Sequence, residues 1–186
     1  DASLCRLKTD CIDVMFLHGL LPEDYETATR RFHPKMMELK KKGKIRFFGF
    51  STRFKIDHAQ EAAKKALSSN PEIWDVIMLK YGILNQHAEK EILPLALKHN
   101  VGIMNMAAVR VKLPDPEHLE KLIQEWKQKG LVETYAIPDR KPLDWLIHHD
   151  VTSIVDAGYR FAAEPLSIAT VISGTANIRH LEKNIR

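Results

Sequence analysis

This sequence is poor in cysteine. Of 186 residues only Cys5 and Cys11 are cysteines, six positions apart and outside any CxxC pattern. That excludes a disulfide scaffold and points to reduced thiols in a cytoplasmic chain. Long apolar runs are missing too: none reaches the roughly 18 residues needed to cross a bilayer, so no membrane span is expected. The opening DASLCRLKTD has neither a basic n-region nor an apolar h-region, which argues against a secretory signal. Low-complexity tracts and sequence-level repeats are absent as well. The remaining composition, 45% apolar and 28% charged, is that of a globular domain with a real core.

The net charge is +4 and the pI about 9.0. The densest basic stretch, KKKGK (40–44), has no aromatic residues between its lysines and is not repeated elsewhere. It reads as the last turn of a helix, with cations against the negative end of the dipole and a stop at Gly43, and not as a nucleic-acid surface. Metal binding is not expected either. His148-His149-Asp150 has the residue types, but neighbouring helical side chains point about 100° apart and no third spaced ligand follows.

Five short apolar runs punctuate the chain: CIDVMFLH (11–18), KIRFFGF (44–50), DVIMLKY (75–81), VGIMNMAAV (101–109) and SIATVISG (167–174). They are continuous and not alternating, the mark of parallel strands covered on both faces. Helical periodicity fills the gaps. Phe32, Met36 and Leu39 form one face, with Pro34 expected in a first turn and a break near His33. Ile56, Ala59, Ala63 and Leu67 form a second face; Ile92, Leu95 and Leu97 a third. Leu119, Ile123 and Trp126 give a stripe that ends at Gly130. Residues 141–164 read as one or two more helices carrying Trp145, Leu146, Val155 and Phe161.

Strand and helix in alternation at crossover spacing predict an α/β parallel sheet, either doubly wound or a (β/α)8 barrel. Polar residues gather just after the strands: His18-Gly19, Ser51-Thr52, Asn85-Gln86 and Gly174-Thr175. A site built from many strand ends favours the TIM-barrel type. A closed barrel needs eight strands and about 250 residues, so five strands predict an incomplete one. Residues 1–186 are expected to form a single domain, and helical pattern running into both Asp1 and Arg186 suggests a fragment. Asp13 is expected on the barrel bottom or the solvent side.

Four motifs, in order, carry a resemblance. SLCRLKTDCIDVMFLHG (3–19) resembles the helix-then-strand segment of the aldo-keto reductases, roughly SL-x-RL-x-TD-x-ID, an apolar run and His. KKGKIRFFGFS (41–51) is similar to that family's GKIR-x-x-G-x-S strand, EILPLALKHNVGIMNMA (91–107) to its LPLAKEHGIGVIAMSP segment, and VISGTANIRHLEKN (171–184) to its cofactor loop and helix. The resemblance implies roughly the C-terminal three-fifths of a (β/α)8 barrel, strands four to eight. It also implies NAD(P)(H)-dependent interconversion of carbonyls and alcohols.

The family's catalytic group is an Asp, Tyr, Lys and His tetrad. Only the histidine falls within this chain, at His18; the other three belong to preceding strands. None of Tyr25, Tyr81, Tyr135 or Tyr159 stands in a matching motif. The tetrad needs a phenol, pKa about 10 when unperturbed, to deliver a proton near neutral pH while the histidine polarises the carbonyl oxygen. For the cofactor, Ser51-Thr52 match a Ser-Asn pair that holds the nicotinamide carboxamide, with Thr52 in place of Asn. Met78 stands where many members have Gln, and Met106 where a residue, often aromatic, contacts the nicotinamide face. Gly174, Thr175, His180 and Asn184 match residues around the adenosine phosphate and adenine. Asn177 is expected to cap the last helix, whose N-terminus would face a phosphate. With His180 and Arg179 there, NADP(H) is favoured over NAD(H). The alternative is a non-catalytic binding or assembly module of the same fold. Small-molecule carbonyl or alcohol substrates are the implied partners, with self-association if the barrel is truncated.

Overall fold

The structure, a computed structural model, describes residues 2–185. Asp1 and Arg186, where helical pattern was expected to run into the chain ends, lie outside them. Strands β1 (Ile12–Leu20), β2 (Ile45–Thr52), β3 (Val76–Leu79), β4 (Gly102–Asn105) and β5 (Ile168–Val171) fall on the five apolar runs. Every pairing is parallel and the spatial order is β1-β2-β3-β4-β5. A doubly wound sheet reverses its strand order at a switch point. Strictly sequential parallel order has no such reversal and is the order of a barrel wall. The chain is an incomplete barrel of five strands.

The helices are α1 (Ala2–Leu7), α2 (Tyr25–Lys41), α3 (Glu61–Ser69), α4 (Ile92–Lys98), α5 (Pro116–Gln128), α6 (Ile154–Ala163) and α7 (Ile178–Asn184). Helix α2 corrects one expectation: Pro34 lies inside it with no break at His33. Proline removes one backbone donor and leaves the carbonyl four residues earlier without a partner. Here both Pro34 and Arg30 face solvent, while Tyr25, Ala28 and Met36 are buried on either side of the defect. Water can satisfy the freed carbonyl, and packing holds the helix through it. Phe32, expected on the buried face, is 45% exposed.

The KKKGK stretch is the end of α2. Lys44 N–H reaches Leu39 C=O at 3.0 Å, Gly43 N–H reaches Lys40 C=O at 2.9 Å, and Gly43 has φ +68°. That is a Schellman stop with its left-handed glycine. Two further faces are shifted from expectation. Helix α3 buries Ala62, Ala63, Ala66 and Leu67 while Ile56 stays exposed before it, and α4 buries Ile92, Leu93 and Ala96 while Leu97 is exposed.

The sheet's two faces differ. Phe48, Phe50, Ile77, Leu79, Ile103 and Asn105 point into the helix layer and are buried. The alternate residues Val14, Phe16, Val76, Met78, Gly102 and Met104 are only partly buried, and Phe47 is 50% exposed. In a closed barrel this second face meets the opposite strands and forms a packed interior. Around the helix layer, Trp74 anchors the core. Its ring meets Phe48 at 5.1 Å and Phe50 at 4.7 Å, and its indole N–H donates to the Tyr25 hydroxyl at 3.1 Å. A second cluster, Leu113, Leu119, Ile123 and Leu143, packs the excursion between β4 and α6 onto Ile83 and Leu84 after β3.

Candidate active site at the C-terminal ends of the strands

Register brings the strand ends into one row on the inner face. Ser51 is opposite Met78, Met78 opposite Met104, and Met104 opposite Thr170. Met106 continues the inner phase of β4, its N–H donating to Leu79 C=O at 2.8 Å. Three partly buried methionines thus pave an apolar floor between the Ser51 and Thr170 hydroxyls.

At the β1 end of the row the pairing slips. Leu17 opposes Phe50, yet Leu20 opposes Thr52. His18 and Gly19 therefore both face Ser51, a bulge that re-aims a strand's last side chains. Gly19 adopts φ +68°, where a Cβ is strained, and its N–H donates to Ser51 Oγ at 2.8 Å. His18 is exposed on the open inner face. An exposed imidazole can donate to or accept from an oxygen brought into the mouth.

Thr52 lies elsewhere. It is 3% exposed in the helix layer, and its hydroxyl donates to Gln60 Oε1 at 3.3 Å. At the β2 end of the row the hydroxyl presented is that of Ser51, with its own proton free to donate.

Two buried carboxamides, absent from the sequence reading, set the geometry past β3. Gln60 Oε1 accepts from Lys80 N–H at 2.8 Å while its Nε2 donates to Lys80 C=O at 2.8 Å. Asn105 Oδ1 accepts from Tyr81 N–H at 3.0 Å, and its Nδ2 donates to Tyr81 C=O at 2.9 Å and to Ala162 C=O at 3.2 Å. Both side chains are fully buried, where unmet polar groups are costly, so each amide acts as a substitute strand partner. Asn105, a polar residue inside an apolar run, was the one available signal; Gln60 gave none.

The phosphate-type loop stands apart from that row, after β5. Asn177 caps α7 by accepting from Arg179 N–H at 3.0 Å, and Thr175 Oγ1 accepts from Asn177 N–H at 3.1 Å. Asn184 Nδ2 and the Tyr159 hydroxyl both donate to Ser173 Oγ, at 2.8 and 3.1 Å. His180 is exposed, and no atom would crowd a Cβ on Gly174 within 4 Å, so the loop is open.

The tyrosines leave the row without a phenol. Tyr25 is wholly buried and Tyr81 is 2% exposed, its ring stacked on Phe161 at 5.4 Å. Burial raises the pKa of both hydroxyls. Tyr135 is 99% exposed and Tyr159 is bound to Ser173. Asp13 is exposed and ion-paired to Arg46 at 2.8 Å. Asp150 pairs with Arg160 at 2.7 Å, and among the described residues no group of three His, Cys, Asp or Glu could hold a metal. Nor is any described helix long and apolar enough to cross a membrane.

The model of the Aldo/keto reductase family matches residues 1–186. The chain belongs to the aldo/keto reductase family. Among curated relatives it is 28% identical over 188 aligned residues to the uncharacterized oxidoreductase YqkF of Bacillus subtilis (strain 168), covering 99% of this chain and 57% of that protein. It is 33% identical over 102 residues to the NADH-specific methylglyoxal reductase of Escherichia coli (strain K12), covering 55% of this chain and 29% of that one. Among solved structures it superposes on a putative aldo-keto reductase from Pseudomonas aeruginosa, with TM-score 0.62, 21% identity and coverage of 99% and 53%. The glycerol dehydrogenase from Gluconobacter oxydans gives TM-score 0.57, 16% identity and coverage of 98% and 60%. The chain spans a little over half of the full-length relatives it matches end to end. These aldo/keto reductases share its fold, and the open inner face is the wall that their other half covers.

Proposed function

We propose that this aldo/keto reductase chain is the C-terminal part of an NAD(P)(H)-dependent enzyme that interconverts carbonyls and alcohols. The observation that supports it is the row itself: His18 beside Ser51, followed by the floor of Met78, Met104 and Met106. A flat ring carrying an amide fits that set of groups. Methionine packs against aromatic faces, and the Ser51 proton is free to hold a carboxamide oxygen. When bound, a nicotinamide cofactor would supply or accept the hydride. His18 would hydrogen-bond the substrate oxygen and favour charge there. The Gly19–Ser51 bond would keep that imidazole and the carboxamide site in register.

The proton donor, with its Asp and Lys, would come from strands preceding Asp1. At the other end, Gly174, Thr175, Asn177, His180 and Asn184 would surround the adenosine phosphate. Arg179 and His180, exposed at the first turn of α7, support NADPH over NADH, although the E. coli relative is named as NADH-specific. Fluorescence titration with both nucleotides tests that preference. Comparable affinity would remove it.

A second reading is supported by the tyrosines, none of which reaches the row: the chain acts as a non-catalytic binding or assembly module, in the cytoplasm in either case. Carbonyl-dependent NADPH oxidation by the purified chain, measured beside His18→Ala, separates the two. Turnover that the substitution lowers by about 100-fold sinks the module reading. If the protein with its preceding residues also shows no turnover, the enzyme reading falls.

A further inference from the structure

Just past β5 the chain is still paired to the sheet, Ile172 N–H donating to Asn105 C=O at 2.8 Å. One residue later, Ser173 Oγ is a node between two helices. It accepts from the Tyr159 hydroxyl of α6 at 3.1 Å and from Asn184 Nδ2, at the end of α7, at 2.8 Å. The Asn184 bond closes the loop and all of α7 into one ring. The Tyr159 bond fastens that ring to α6. It joins a tyrosine with no place in the tetrad to the residue beside Gly174.

Helix α6 is a firm anchor. Ser153 Oγ caps it, accepting from Asp156 N–H at 3.1 Å. On its buried side Gly158 lies so close to its neighbours that a Cβ would stand 2.7 Å from Val109 Cγ1 and 2.9 Å from Leu113 Cδ1. Ala162 C=O accepts from the buried Asn105 amide at 3.2 Å, which ties the helix to β4. Helix α7 is different: it has seven residues, too few to hold a helix in isolation. Thr175 and Asn177 shape its first turn through the Asn177 and Arg179 N–H groups, but bonds that local do not fix where the turn stands against the barrel. The Tyr159–Ser173 bond does. Tyr159 is partly buried, and its hydroxyl rides on a rigid ring with two side-chain torsions, so holding it in place costs little entropy.

We propose that Tyr159 is a positioning residue for the adenosine-phosphate half of the dinucleotide: through Ser173 it holds the loop of Gly174, Thr175 and Asn177, and with it Arg179 and His180, in place against the barrel wall. The role rests on the reading of this chain as nucleotide-binding. Tyr159 acts through Ser173, so its effect belongs to the order of the loop and passes from there to the ligand.

The test joins two readouts on the purified chain. Without nucleotide, hydrogen exchange of the loop and α7 should quicken about fivefold in Tyr159→Phe, the worth of one net hydrogen bond, while exchange in β1 to β3 stays as in the wild type. Calorimetric titration with the adenosine bisphosphate half of NADP+ should show affinity weakened by a similar factor. Ser173→Ala should reproduce both losses, and Tyr159→Phe should add nothing to it, because the two side chains share one bond. Ser173→Thr, which keeps the hydroxyl, should retain the wild-type values. The positioning role is overturned if Tyr159→Phe binds the bisphosphate as tightly as the wild type, if binding weakens with loop exchange unchanged, or if the two losses add. A wild-type chain that binds no bisphosphate removes the nucleotide-binding reading and the positioning role together, an outcome told apart from the others by the wild type alone. Should Ser173→Ala fail to fold, Tyr159→Phe, which keeps the ring and its packing, decides with Ser173→Thr by the same criteria.

Discussion

The Gly19 N–H donates to the Ser51 hydroxyl at 2.8 Å, across a slipped strand pairing in which His18 and Gly19 together oppose one residue. One hydrogen bond thus ties the bulge that carries His18 to Ser51, the two residues proposed above to meet the substrate oxygen and the cofactor amide. Ser51→Ala leaves a partly buried N–H without its partner, which costs about 1–2 kcal/mol. Urea unfolding should show that loss, and the His18 ring resonances should broaden as the bulge loosens. Unchanged stability and sharp His18 signals would mean that the bond does not hold the bulge.

The two carboxamides past β3 clamp consecutive residues, Lys80 and Tyr81. Gln60→Leu and Asn105→Leu should each destabilise by about 2–4 kcal/mol, since the first strands two backbone groups and the second three in a dry layer. Because they hold adjacent peptides, the double variant should lose at least about 0.5 kcal/mol less than the sum. A double-mutant cycle by chemical denaturation reads this directly; strict additivity would show two independent clamps.

Gly49 lies where β2 and β3 run closest. A Cβ there would stand 2.0 Å from the Val76 carbonyl oxygen and 2.7 Å from its Cγ1. The obstacle is backbone, so the strands must move apart. Gly49→Ala should cost about 3 kcal/mol and shift the Ser51 and Met78 amide resonances. The control Gly43→Ala meets no atom within 4 Å but sits at φ +68°, so it should cost about 1 kcal/mol from backbone strain alone.

Asp156 opens α6: it accepts from Thr152 N–H at 2.8 Å and from Arg160 Nε at 2.7 Å. The Thr152 N–H first, then the Arg160 guanidinium, hold its carboxyl below the usual carboxylate range. A carboxylate with a depressed folded-state pKa binds fewer protons folded than unfolded. Its stabilising contribution is therefore full above the unfolded value of about 3.9 and is lost as pH falls through the folded value. Asp156→Asn should flatten that acid limb in denaturation curves taken from pH 5 downward. An unaltered limb would place the acid sensitivity elsewhere.

The inner face exposes half of Phe47, and β1 and β5 have no outer strand partner among the described residues. Open parallel edges with apolar side chains invite pairing between copies. The purified chain should self-associate with rising concentration in sedimentation velocity, and Phe47→Glu should lessen it. A monodisperse wild-type monomer at high micromolar concentration would contradict this.

Local chemistry in the sequence was enough for much of the fold. The five apolar runs became the five strands, Gly43 ended α2, and Asn177 capped α7, because each depends on residues within a few positions. Motif order pointed to the barrel, and sequential strand order in the structure bears that out. What the tertiary structure decided was phase and partnership. A continuous apolar run does not say which side chains face the helices, so Thr52 turned to Gln60 while Ser51 took the mouth. Pro34 read as a break because its cost is local, whereas the buried groups on both sides of it hold the helix together. The slip at Gly19 and the clamps of Gln60 and Asn105 join residues 20 to 57 positions apart. Pairings of that range exist only once the sheet has formed, because it is the register between strands that brings the partners within a hydrogen bond.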